Sequence, residues 1–136
     1  MKQAKWLALA VAVAMVCAML PMTALAAGNA AEVSAKDEFL GALADSSVTT
    51  IRVTAGMDLT DIPAGAGNVI DISGRTIDLG GNTVKINNFA LIFQGSNFTI
   101  QNGTLDGNGG SYALFIGDGP TRDVLIQHVT TIGGIN

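Results

Sequence analysis

Seven aspartates are the first residues to weigh for chemistry: Asp58, Asp61, Asp71, Asp78, Asp106, Asp118 and Asp123. No two adjoin in sequence, whereas glycoside hydrolysis needs two carboxyl groups facing each other across a substrate. Asp78 sits between Ile77 and Leu79, so strand alternation turns it away from those apolar neighbours. Asp106, in Leu105-Asp106-Gly107-Asn108, has two readings. With Asn108 and backbone carbonyls it offers the hard oxygens that Ca²⁺ takes, or it opens an Asp-Gly turn in which Gly107 supplies a positive φ. The turn is favoured, and Asp118-Gly119-Pro120 reads the same way. His128, the sole histidine, has no cysteine or second histidine beside it, which excludes a zinc site of ordinary composition. Tyr112 follows a Gly-rich loop and has the shape to stack on a sugar ring. The candidate ligand-binding residues are therefore Asp106, Asn108 and Tyr112; no residue is assigned a catalytic role and no metal set is assigned.

Much of the chain exists to place such residues, and some of it to export them. Residues 1–26 begin with Lys2 and Lys5, run apolar through LALAVAVAMVCAML, and end in Pro21 and Ala24-Leu25-Ala26. That is the pattern of a secretory signal peptide cleaved after Ala26. The rival is a membrane anchor, because the apolar run is nearly long enough to span; the Ala-x-Ala site and Pro21 favour cleavage. Cleavage leaves 110 residues, five Lys and Arg against eleven Asp and Glu, a formal charge of −6 and no cysteine. The expectation is a secreted or cell-surface protein with no stable membrane span after cleavage, held by packing and hydrogen bonds without disulfides. An acidic chain with no basic cluster is a poor partner for nucleic acid.

Residues 27–33 read as a linker. Ser34-Ala35-Lys36-Asp37 fits a capping box, and the helix expected over 34–45 gathers Phe39, Leu40 and Leu43 on one face. From Val48 onward short alternating apolar pairs are separated by Gly and Asn. One column is Ile51/Val53, Ile77/Leu79, Phe98/Ile100 and Val124/Ile126. A second is Leu59, Val84/Ile86, Leu105 and Ile132, and a third is Ile70/Ile72, Leu91/Phe93 and Leu114/Ile116. All three recur every 21 to 26 residues, which predicts a right-handed parallel β-helix of three strand columns and three to four coils over 48–136. A β-sandwich also uses short strands, but few two-residue hairpin signals are present. The helix would cap the first coil, and the outward loops would be Gly65-Ala66-Gly67 and Asn108-Gly109-Gly110. On this register Asp78 has Arg52 below it and Thr99 above, and His128 lies one coil beyond Asn102 as a stacked polar turn position. Asn82, Asn87, Asn88, Asn97 and Asn102 mark turns that an Asn ladder could join. The fourth coil is incomplete at Asn136, so the β-helix is expected to be truncated, its open end covered by further coils or a partner.

Two stretches, GRTIDLGGNTVKI (74–86) and NFTIQNGTLDGNG (97–109), resemble the pectin-lyase-like superfamily of right-handed parallel β-helix proteins. The resemblance covers roughly Val48–Asn136. Catalysis in that family implies aspartate clusters, or Ca²⁺-binding acids with a basic residue. The hydrolase pattern of Asn-x-Asp followed by paired aspartates has no match here, so no catalytic residue carries over. The expectation is a β-helix without its own active site, structural or adhesin-like, with polysaccharide or cell-wall glycan as the implied partner. The alternative is the N-terminal part of a polysaccharide lyase or glycoside hydrolase whose active site lies beyond Asn136.

Overall fold

A computed structural model describes residues 28–117 and 123–136; the signal-peptide reading and the Asp118-Gly119-Pro120 turn lie outside them. The described residues form a β-solenoid of about four turns with one short helix. In order, the elements are β1 (Ala30–Val33), α1 (Lys36–Ala44), β2 (Thr50–Val53), β3 (Met57–Asp58), β4 (Asn68–Asp71), β5 (Thr76–Asp78), β6 (Thr83–Lys85), β7 (Leu91–Gln94), β8 (Thr99–Asp106), β9 (Tyr112–Leu114), β10 (Leu125–Ile132) and β11 (Gly134–Ile135). Every strand pairing is parallel.

Three stacks carry the coils. The first runs β1, β2, β5, then the leading halves of β8 and β10. The second runs β3, β6, then the trailing halves of β8 and β10. The third runs from β4 to β7 and on to Ile116 through its bridge with Phe93. The first two stacks merge because β8 and β10 each bend without breaking. The bend sits at Asn102 (φ 60°) and His128 (φ 53°), left-handed residues 26 positions apart. Asn and His tolerate that region better than most side chains. His128 is thus a turn residue in stacked register with Asn102, as its spacing implies, but it is exposed and does not face inward.

Inward aliphatics form one continuous core, with Ile51, Leu59, Ile72 and Phe98 fully excluded from solvent. Each such side chain contributes about 1.5–3 kcal/mol relative to exposure. Several registers differ from the sequence reading. Ile77 pairs with Ile100, an offset of 23, so Gln101 and not Thr99 stacks on Asp78. Ile70 pairs with Phe93 rather than Leu91. Leu105 meets Thr131, which leaves Ile132 on Asp106 and 54% exposed. The segment read as a linker contains β1, which pairs in full register with β2 and buries Val33.

Helix α1 buries Phe39, Ala42 and Leu43 against this first coil, with Leu40 half-buried. It begins one residue later than the capping box implied. Ala35 is the N-cap and makes no side-chain cap. The closing acid is Glu38, whose Oε2 accepts the Ser34 backbone N–H at 2.8 Å and its hydroxyl at 3.1 Å. The other end is fastened by Arg75, 5% exposed. Its guanidinium donates to the carbonyls of Leu43 (2.8 Å), Ala42, Asp45 (3.2 Å) and Val48 (2.8 Å). Orphan carbonyls and the negative end of the helix dipole both favour a cation there.

Candidate functional site

Local turns account for most of the described aspartates. Asp45, Asp58, Asp71, Asp78 and Asp106 each accept, through Oδ1, the backbone N–H two residues ahead, at 2.8–2.9 Å. Asp45, Asp58 and Asp71 also accept the hydroxyl of the Ser or Thr at that position. Those hydroxyls, and then the N–H groups, hold the three carboxyls below the usual aspartate range. Asp61 is held low by Lys36, to which it is paired.

Asp78 belongs to an outward column on the first stack. The registers align Glu32, Arg52, Asp78, Gln101 and Gln127 over successive coils. Gln127 donates to Gln101 Oε1 at 2.7 Å, and Gln101 donates to Asp78 Oδ2 at 3.2 Å. Asn102 adds a 3.3 Å bond to Asp78 Oδ1. Burial pushes the Asp78 carboxyl up, but the bonds from Gly80, Gln101 and Asn102, with the charge of Arg52, outweigh it and the net direction is down. Arg52 lies beneath Asp78 in register, yet its ion pair is with Glu32 at 3.7 Å.

The three candidate ligand residues separate into two places. Asp106 and Asn108 share one Asx turn, and Asn108 Nδ2 donates to Asn87 Oδ1 at 2.9 Å. Asn87 in turn donates to the carbonyls of Thr60 and Ile62 in the coil below. This is an Asn ladder of the expected kind at Asn87. A Ca²⁺ ion takes about six to eight oxygens, whereas Asp106 brings one carboxylate already engaged by a backbone N–H. Among the described residues no three His, Cys, Asp or Glu side chains gather as a metal-holding group. The donor set therefore does not fit the ion.

Tyr112 lies elsewhere, in an aromatic cluster with Phe89 and Phe115. Ring centroids are 4.3 Å apart for Phe89–Phe115, 5.8 Å for Phe89–Tyr112 and 6.4 Å for Tyr112–Phe115. All three residues are partly exposed. Phe89 is in the four-residue turn Asn87–Ala90, closed by the Ala90 N–H on the Asn87 carbonyl at 3.0 Å. Phe115 lies between inward Leu114 and Ile116, and so points out of the third stack. Its outward neighbours on the coils below are Ile92 and Val69, which pair in register; Val69 is 55% exposed. Sequence reasoning found Tyr112 and missed both phenylalanines, although alternation around Phe115 carried the signal. A separate open groove of about 360 Å³ runs between α1 and β4, lined by Leu40, Leu43, Val69, Ile70, Asp71 and Arg75 among others.

A family model described as "Putative pectate lyase-like adhesive domain" matches residues 30–135. No curated protein and no solved structure matches the chain.

Proposed function

The chain belongs to the pectate lyase-like adhesive domain family, and from that premise we propose that it acts as an extracellular or surface-displayed module that binds glycan without cleaving it. The observation that carries this reading is the repeated Asx turn. Five aspartates point an oxygen at the N–H two residues ahead, an arrangement that builds turns and not a reaction site. A general acid in glycoside hydrolysis needs a raised pKa; Asp45, Asp58, Asp71 and Asp78 are all shifted the other way. Lyase chemistry needs a base and a positive charge at the substrate carboxylate. Among the described cations Arg75 is buried in the helix clamp, Lys36 is bound to Asp61, Arg52 is paired with Glu32, and Lys85 stacks between Asp58 and Asp106. The signal-peptide pattern of residues 1–26 supports the location; among the described residues no helix is long and apolar enough to cross a membrane.

The test is to incubate the purified chain with polygalacturonate, with and without Ca²⁺, and follow unsaturated products and new reducing ends. The expected result is no turnover. Product formation by the purified chain would overturn the proposal.

A further inference from the structure

We propose that Phe89, Tyr112 and Phe115 form a platform on the outer face of the third stack that binds uncharged polysaccharide by ring stacking. The inference rests on the binding-module reading and names both the face and the ligand class.

Three observations carry it. The first is shape. The three rings meet tilted or edge to face, at interplanar angles of 82°, 48° and 75°, in a faceted cluster, and Phe115 within it stands at the upper end of an outward apolar strip continued by Ile92 and Val69. Coils repeat at about 4.8 Å, so the strip is about two coil spacings long, enough for a pair of sugar rings. An aromatic ring presents a negative face, which suits the slightly positive C–H bonds on the apolar side of a pyranose.

The second is the backbone at Phe89, whose φ is 55°. The other non-glycine residues in this region are Asn97, Asn102, Asn108, Asp123 and His128, the types that tolerate it. A bulky aromatic there is a genuine outlier. Asn or Gly would close the same turn with less strain. Strain of this kind concentrates at ligand sites, and here it sets the Phe89 ring against Phe115 and Tyr112.

The third is charge. Each described cation is accounted for away from the platform. Lys36 pairs with Asp61, Arg52 with Glu32, and Arg75 is buried. Lys85 stacks between Asp58 and Asp106 in the second stack. Strands β4, β7 and β9 contain no Lys or Arg, and their one charge is Asp71. A polyuronate carries a carboxylate on every sugar and would be repelled on balance by a chain of net charge −4. A neutral glycan meets no such repulsion. For a cationic one, no three acids gather among the described residues.

The experiment is affinity electrophoresis of the full chain in gels containing a neutral β-glucan, a neutral mannan, polygalacturonate or chitosan, across a salt series. The expected result is retardation by at least one neutral polymer, insensitive to salt. Tyr112→Ala and Phe115→Ala should each weaken it about tenfold, the effect of losing one stacking contact of about 1.4 kcal/mol. Phe89→Asn should weaken binding while leaving the thermal midpoint unchanged or higher, an outcome that misfolding cannot produce. Retardation only by polygalacturonate or chitosan, no retardation by any neutral polymer, or undiminished retardation of a variant combining Phe89→Asn, Tyr112→Ala and Phe115→Ala would overturn the platform. Turnover of polygalacturonate would instead overturn the binding-module reading, so the two failures are distinguishable.

Discussion

Arg75 shows how much one residue holds in this chain. It is buried to 5% exposure, yet it has four carbonyl partners on the segment from Ala42 to Val48. Burial pushes its pKa down, partly offset by Asp45 and Asp71. An arginine remains charged under such a shift, so the guanidinium works as a cationic staple between α1 and the start of β5. Replacing it with Met keeps the apolar stem and removes every donor. Hydrogen bonds to charged groups contribute about 1.5–3 kcal/mol each, and the freed carbonyls add their own desolvation penalty. Non-additivity brings the expected loss for Arg75→Met to about 3–5 kcal/mol. Arg75→Lys should recover only part of it, because an ammonium cannot span carbonyls that a planar fork reaches together. Denaturant midpoints of the two variants check this; an Arg75→Lys midpoint equal to that of the parent would remove the fork geometry from the explanation. In the sequence, Arg75 is one unremarked residue of the stretch 74–86. Its role depends on a helix more than thirty residues upstream, and no local pattern announces that distance.

The strands explain why some registers were legible and others were not. Aliphatic pairs such as Ile51/Val53 and Ile77/Leu79 identify a strand whose face repeats every two residues, and the 26-residue step between them holds in the structure. The next step is 23 because the coils differ in turn length, and alternation cannot measure a turn. At Asn102 the left-handed residue also shifts the parity, so Ile100 and Leu105 both face inward although five positions separate them. Gly103 follows that bend for a steric reason. A Cβ at this position would press into the Leu79 side chain and lie 2.7 Å from the Asn82 carbonyl. Gly103→Ala is therefore expected to destabilise by about 1–3 kcal/mol through overpacking. Gly109→Ala, where a Cβ meets nothing but φ is 76°, tests strain alone and should cost about 1 kcal/mol. Urea midpoints separate the two; a Gly103→Ala loss no larger than that of Gly109→Ala would mean the coils part easily at this seam. The candidate site was half-legible for related reasons. Tyr112 announced itself beside a glycine loop, while Phe89 and Phe115 meet it only once two coils are stacked.

Across the whole molecule the two ends of the solenoid are unlike. At the first coil, α1 closes the core with Phe39, Ala42 and Leu43 and is stapled by Arg75. At the last, β10 pairs with β8 along one edge, and Leu125, Ile132 and Ile135 stand about half exposed. Ile126 and Val129, which continue the core columns, are only partly buried. An edge of this length with apolar neighbours is a template for strand addition. A chain of residues 28–136 in isolation should therefore associate through β10 as its concentration rises, whereas the helix-covered end contributes nothing. Sedimentation velocity over a concentration series measures it. Leu125→Lys with Ile132→Lys should shift the distribution toward monomer, since inserted charges block edge pairing. Lysines placed instead at the exposed helix positions Gly41 and Ala44 should leave it unchanged. A parent that sediments as a monomer at every concentration, or a double lysine variant that associates as strongly as the parent, would show that the β10 edge is already protected by its own twist.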